Sequence, residues 1–84
     1  MIKKTKLLKY TVIYTSEPEG GFTVTVPALP GCVTYGKDLN EAKKMAIDAI
    51  KLYLESLSAH KDQIPSDENS FISSVDLEFP LAHA

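Results

Sequence analysis

Phe22-Thr-Val-Thr-Val26, Pro27-Ala-Leu-Pro-Gly31 and Cys32-Val-Thr-Tyr35 follow one another directly and are closed by Gly36. The first part alternates apolar and polar residues, which predicts a strand with one face on the core and the other toward water. Pro27 has no amide hydrogen to donate, so strand pairing is expected to stop there. The middle part then predicts an irregular crossing, and the last part predicts a short strand over Cys32 to Tyr35.

Upstream of this region, residues Leu7 to Thr15 are rich in β-branched and aromatic side chains and predict a first strand. Ser16-Glu-Pro-Glu-Gly-Gly21 separates it from the next strand and is dense in turn-forming residues. The two strands are therefore expected to form an antiparallel hairpin. The core-facing side of the first strand is predicted to carry Leu8, Tyr10, Val12 and Tyr14.

Downstream, Asp38-Leu-Asn-Glu41 has the form of a capping box, in which Asp38 accepts from the backbone N–H of Glu41 and the Glu41 carboxylate reaches back. A 3.6-residue periodicity follows for about twenty residues, which predicts a long amphipathic helix. Ile64-Pro65 marks its end. The apolar stripe consists of Leu39, Ala42, Ala46, Ala49, Ile50, Tyr53, Leu54 and Leu57.

The last segment alternates again and predicts a fourth strand from Ile72 to Phe79, ended by Pro80. A strand that follows a long crossover helix can pair in parallel with an earlier strand. The predicted fold is α+β in the order β-β-β-α-β, with one mostly antiparallel sheet and a single long helix on one face. The other face of the sheet is expected to show Lys9, Thr11, Thr23, Thr25 and Thr34.

Met45 and Leu52 lie seven residues apart on the flank of the apolar stripe. Two interpretations stay open: these side chains form the edge of the core, or they contact a second subunit or a partner. A domain of this size buries only about 60–65% of its chain surface, so self-association would stabilise it. The second interpretation predicts a homodimer or a higher homo-oligomer.

The composition predicts a single domain over residues 1–84, with a lysine-rich leader at residues 1–6. The nine positive charges are all Lys and the formal net charge is -2. Because bidentate recognition of phosphate and guanine is mainly done by arginine, direct nucleic-acid binding is not expected. The leader is interpreted as a solvated terminus, with an arm that contacts phosphate as the alternative.

The cysteine content and the N-terminus favour a cytoplasmic location. The single cysteine, Cys32, cannot form an internal disulfide. Lys9 and a strand-like pattern follow the basic start, where a signal peptide would have its apolar core. No apolar run approaches the roughly 20 residues needed to span a bilayer.

The residues that commonly perform catalysis do not form a recognisable pattern. Cys32 is the one nucleophile candidate, but neither His60 nor His83 stands at a motif spacing, so a buried structural thiol is expected. A zinc site needs three or four converging ligands, and the three predicted strands before the helix contain no Asp or Glu. We therefore expect a binding protein without a cofactor, a metal or an enzymatic activity.

Four segments together resemble the HicB-type antitoxin family: Tyr10-Thr-Val-Ile13, the acidic Gly-Gly hairpin, Pro27-Ala-Leu-Pro-Gly-Cys-Val-Thr34 and the helix opening Leu39-Asn-Glu-Ala42. The resemblance runs from about Tyr10 to Leu57. It implies a partly degraded RNase H-like fold, which agrees with the predicted order of elements. It also implies a protein that binds and neutralises a small basic HicA-type RNA-cleaving toxin.

The chain departs from the family pattern in two ways. Full-length members usually carry a C-terminal DNA-binding domain, for which 84 residues leave no room, so autorepression is not expected. The catalytic acids of RNase H-like enzymes are missing, so nuclease chemistry is not expected either. A solitary oligomeric protein without a toxin is the alternative function, ahead of a nucleic-acid-binding protein or a residual nuclease.

A basic toxin would be met by carboxylates. The candidates are Glu17 and Glu19 in the hairpin and Asp38 and Glu41 at the helix start. The alternative roles for these side chains are turn solvation and helix capping.

Overall fold

The structure is a computed structural model that describes residues 5–82, and this region contains one three-stranded sheet and one helix. β1 is Ile13–Ser16, β2 is Phe22–Thr25, β3 is Val33–Gly36 and α1 is Leu39–Ala59. The strands are antiparallel neighbours in the order β1-β2-β3, and α1 packs mainly on β3 and β2. The predicted α+β class is confirmed. Residues 1–4 of the predicted leader, and His83, lie outside the described residues.

β1 is shorter than the predicted strand over residues 7–15 because its partner strand ends. Ile13 pairs with Thr25, the last residue of β2. The next residue, Val26, donates its N–H to the Cys32 carbonyl oxygen at 3.2 Å, which continues the β2–β3 register by one position before Pro27. Val12 has no partner on β2, although its side chain still packs on the core as predicted.

The register decides which side chains face α1. Tyr14 pairs with Val24, and Val24 pairs with Thr34, so these three residues lie on the helix side of the sheet. Placing Thr34 on the outer face was therefore wrong, because it lies opposite a fully buried valine. The outer face of the three strands carries Ile13, Thr15, Thr23, Thr25, Val33 and Tyr35.

Two groups of buried side chains form the core under α1. Val24, Ala42 and Ala46 form the first, and the small alanines allow the helix to approach the sheet. The second consists of Val26, Leu29 and Cys32, and it is contributed by the crossing between β2 and β3. Three backbone hydrogen bonds close this crossing: Val26 N–H to Cys32 O, Leu29 N–H to Val26 O, and Cys32 N–H to Leu29 O. The crossing is thus an ordered part of the core.

The two ends of α1 are capped by different means. Asp38 Oδ1 accepts from the Glu41 N–H at 2.8 Å, which confirms the predicted cap. At the other end, Lys61 N–H donates to Ser58 O and Asp62 N–H donates to Leu57 O, with Lys61 at φ 57°. This is a Schellman ending, in which a lysine occupies the left-handed position that is usually taken by glycine.

After α1 the chain returns to the residues that precede β1. Asp67 N–H donates to Lys9 O at 2.8 Å, and Thr11 N–H donates to Asp67 Oδ2 at 2.8 Å. The Tyr10 hydroxyl donates to the Pro65 carbonyl oxygen. The segment 65–67 is therefore held beside residues 9–11, where a parallel fourth strand would begin.

The predicted fourth strand over Ile72 to Phe79 is wrong for the described chain, because no residue between 71 and 82 belongs to a strand there. In a parallel ladder, Thr11 N–H would bond the main-chain oxygen of Asp67. Here the Asp67 side chain accepts that bond, and its main-chain oxygen accepts from Ser70 N–H at 2.9 Å instead. The resulting turn directs the following chain away from β1 and leaves its side chains exposed.

Candidate partner-binding surfaces

The hairpin loop and the start of α1 lie at the same end of the sheet. The register sets Ser16 opposite Phe22, and Phe22 opposite Gly36. The Tyr35 hydroxyl donates to Gly20 O at 2.9 Å and joins the end of β3 to the loop. Glu17 and Glu19 in this loop therefore lie at the same end of the molecule as Asp38 and Glu41, which are the N-cap and a first-turn residue of α1. We call this end, with its four carboxylates, the acidic end.

The two hairpin carboxylates differ in their surroundings. Glu17 is half-buried, and its Oε1 accepts from the Thr23 hydroxyl at 2.6 Å. Its backbone N–H also closes the turn by donating to Gly21 O at 3.0 Å. Glu19 is exposed at the loop tip. Glu17 is thus positioned by the fold, whereas Glu19 projects a charge into solvent.

Asp38 and Glu41 both cap the helix start. Glu41 Oε1 accepts from the Lys37 N–H at 2.9 Å, one residue before the cap, rather than from the Asp38 N–H of an ideal capping box. Both residues are at least partly exposed. Capping accounts for one oxygen of each carboxylate, so the capping role expected as the alternative is present whether or not a partner binds.

Met45 and Leu52 lie on the flank of α1 that faces the edge of β3. Met45 is 37% exposed and Leu52 is 70% exposed. With Val33 and Ala49 they line an open, mainly apolar groove between β3 and α1, which we call the β3 groove. Its full lining is Gly31, Cys32, Val33, Thr34, Met45, Asp48, Ala49, Leu52, Tyr53 and Ser56.

Cys32 lies at the floor of the β3 groove and is buried, as the sequence predicts. Burial raises the pKa of its thiol, because the thiolate would lose hydration. The thiolate fraction at neutral pH is therefore lower than for an ordinary cysteine, and the side chain acts as a small apolar core group.

Within residues 5–82, His, Cys, Asp and Glu side chains nowhere gather in a group of three suited to a metal ion. Over the same residues, α1 is too polar to qualify as a membrane-crossing helix.

Sequence reasoning missed two features of these surfaces. Ile13, Val33 and Tyr35 are exposed on the outer face of the sheet, where only Lys9 and threonines were expected. The sequence could have shown this, because alternate residues of a strand share a face. A buried Cys32 places Thr34 on the core side and Val33 and Tyr35 on the outer side. Asp67 was also missed as a side chain that bonds the backbone before β1, and only a contact between residues far apart in sequence reveals it.

Several known proteins are similar to this chain. A family model described as the HicB-like antitoxin of bacterial toxin-antitoxin system matches residues 10–78. A UPF0150 protein of Thermoplasma acidophilum is 50% identical over 60 residues, covering 71% of this chain and 87% of the relative. UPF0150 proteins of Helicobacter pylori and Synechocystis are 39% identical over 61 residues (73% of this chain, 85% of the relative) and 35% identical over 63 residues (75% and 80%). The chain belongs to the HicB-like antitoxin family.

Proposed function

We propose that this chain is the antitoxin of a toxin-antitoxin pair and neutralises a small basic, HicA-type RNA-cleaving toxin by binding it. The observation that carries this proposal is the family match over residues 10–78. We further propose that the whole chain acts as one HicB-like domain. Its role is binding rather than catalysis.

The acidic end is the proposed contact for the toxin. The loop carries Glu17 and Glu19, and the helix start carries Asp38 and Glu41, so one end of the molecule presents four carboxylates. Complementary charge steers a basic partner into the correct orientation and raises its association rate. Glu19 is the first contact in this scheme because it is exposed at the loop tip.

At the positions of the acidic end, substitutions can change the charge while keeping the hydrogen bonds that the fold uses. Glu19→Lys reverses an exposed charge, and Glu17→Gln keeps an oxygen that can accept from the Thr23 hydroxyl. Asp38→Ser retains an acceptor for the helix cap while removing the charge. Glu55→Lys is the matched control, since Glu55 is an exposed carboxylate in the second half of α1.

The test is co-expression with a short basic protein encoded next to this chain, followed by a binding measurement on the purified pair. We expect the chain to restore growth of cells that express the toxin. A Glu17→Gln/Glu19→Lys variant is expected to bind at least tenfold more weakly and to lose part of its salt dependence, whereas Glu55→Lys binds normally. If the double variant bound the toxin with unchanged affinity, the acidic end would not be the contact for the toxin.

A solitary oligomer without a toxin is the second candidate, and the exposed apolar side chains after residue 70 favour it. The absence of both a toxic neighbour and growth rescue would select this candidate. For another alternative, a residual nuclease, RNA incubated with the chain and Mg²⁺ or Mn²⁺ is expected to stay intact. Cleavage that is lost in the presence of a chelator would reverse that expectation.

A further inference from the structure

We propose that the segment from Phe71 to Leu81, the C-terminal arm, adds as a strand to the free edge of β3 in a second copy of this chain and fills the partner's β3 groove. Both copies exchange their arms in the same way. The result is a two-fold dimer, and this inference holds with or without a toxin partner.

The arm has the residue pattern of an amphipathic strand but is not paired in a sheet. At alternate positions it carries Val75, Leu77, Phe79 and Leu81, which are 68–81% exposed. Ser74, Asp76 and Glu78 alternate with them and would face solvent in a strand. Such a pattern is typical of a strand with one buried face, and a row of exposed apolar side chains on a small protein marks an interaction surface.

The β3 groove has the chemistry and the length to accept this strand. β3 is an edge strand, so its outer side is available for pairing. Along α1 the groove runs from Met45 to Ser56, which is about 16 Å at the rise of an α-helix. The five residues Val75–Phe79 span about 14 Å as a strand. A strand added at this edge would place alternate side chains on the helix side of the sheet, over Thr34 and Leu52.

The arm does not occupy the groove of its own chain. It leaves from Asp67, which is bonded to Lys9 and Thr11 on the β1 side, whereas the groove lies beyond β3 at the opposite edge. The turn from Asp67 to Ser70 then directs the arm outward. Within the same chain, Ser66 and Asp67, which precede the arm, bond to residues beside β1. The arm itself does not pair with β1.

The area involved is that of a stable dimer. A buried phenylalanine removes about 150–250 Å² from water, so Phe79 of the two arms alone accounts for roughly 300–500 Å². Stable interfaces bury about 1,200–2,000 Å² in total. The aliphatic side chains of the arm and the exposed lining of the groove supply the remainder. Because the dimer is two-fold symmetric, each contact between an arm and a groove occurs twice.

The test measures the mass of the full chain by light scattering over a range of concentrations. We expect a dimer. Leu77→Glu damages the arm and Leu52→Glu damages the groove, and each is expected to raise the dimer dissociation constant at least tenfold. Both residues are 70–80% exposed in the single chain, so far-UV circular dichroism is expected to stay unchanged.

Two matched controls separate this interface from a general effect of charge. Ser74→Glu puts the same charge on the polar side of the arm. Ile47→Glu puts it on an exposed apolar side chain of α1 that does not line the groove. Both variants are expected to dimerise normally. If they weaken the dimer as much as Leu77→Glu and Leu52→Glu do, the proposal is overturned.

Mixing the two damaged chains tests the exchange itself. A Leu77→Glu chain keeps an intact groove and a Leu52→Glu chain keeps an intact arm, so one complete contact can form between them. We expect the mixture to form a heterodimer more readily than either variant forms a homodimer. A wild-type chain that is monomeric at every concentration, or a dimer insensitive to Leu77→Glu, would overturn the proposal.

Discussion

Gly36 lies where the backbone of β3 approaches the backbone of α1. A Cβ atom at this position would meet the backbone N and Cα of Ala42. In an ordinary strand position, replacing glycine by alanine stabilises a protein by about 0.4–1 kcal/mol through the unfolded chain. Overpacking against a backbone that cannot rotate away costs about 1–3 kcal/mol, which exceeds that gain. The net effect of alanine at this position is therefore destabilising.

We therefore expect Gly36→Ala to lower the free energy of unfolding by about 1–2 kcal/mol, measured by urea denaturation. Ser16→Ala, at an exposed position of β1, serves as the control and should change it by less than about 0.5 kcal/mol. An equally stable Gly36→Ala protein would mean that α1 can shift away from β3.

At the scale of elements, α1 is determined at both ends by local hydrogen bonds, but Lys61 is a poor residue for its position. The left-handed conformation costs a residue with a Cβ about 1 kcal/mol relative to glycine. Lys61 is exposed, and it supports the Schellman ending through its backbone N–H. Its side chain is therefore dispensable for the helix end.

Lys61→Gly is expected to raise the free energy of unfolding by about 0.5–1 kcal/mol, measured as a higher midpoint in thermal or urea unfolding. Lys51→Gly is the matched control, since it places glycine in the middle of α1 and should lower stability by about 1 kcal/mol. If both variants changed the free energy of unfolding in the same direction, the assignment of the helix end would be contradicted.

At the scale of the whole molecule, a compact sheet-and-helix body carries an extended arm. The radius of gyration is 16.8 Å, against about 12 Å for a compact chain of this length. The body is closed by contacts between residues more than fifty positions apart, in particular those of Tyr10 with Pro65 and of Asp67 with Lys9 and Thr11. These contacts fix the point from which the arm departs.

Tyr10 makes this closure sensitive to alkali. Burial, and to a lesser extent the nearby Asp67 carboxylate, raises the pKa of the Tyr10 hydroxyl above its ordinary value of about 10. The folded chain therefore retains a proton that the unfolded chain loses. The stability that Tyr10 contributes is fully present below pH 10 and is lost as the pH rises through the folded-state pKa.

The measurement is the free energy of unfolding between pH 9 and pH 11.5 for the wild type and for Tyr10→Phe. We expect a shallower decline with pH in the variant, because the titrating group and its bond to Pro65 are removed. Tyr35→Phe, which removes the hydroxyl bonded to Gly20, is the control and should decline like the wild type. Parallel curves for wild type and Tyr10→Phe would contradict this assignment.

The sequence by itself determined the elements whose causes are local. Local causes produce the second strand, the helix cap and the helix. The alternation over Phe22–Val26 predicts a strand that is present as Phe22–Thr25, one residue shorter. The Asp38 cap and the helical periodicity are confirmed in α1. The family resemblance was also readable, because it rests on contiguous residues. Of the candidate site, the charges and the Asp38 cap were visible in the sequence, but the grouping of the four carboxylates at one end of the molecule depends on the strand register.

Only the tertiary structure decided where non-local partners meet. Thr34 faces the helix because it lies opposite Val24, and the first strand is short because its pairing with β2 ends at Ile13 and Thr25. The fourth strand has the right alternation, but alternation specifies a buried face without specifying a partner. The Asp67 side chain accepts the Thr11 N–H hydrogen bond that a parallel strand would make through its main chain. The segment Phe71 to Leu81 therefore has no strand partner among the described residues of its own chain.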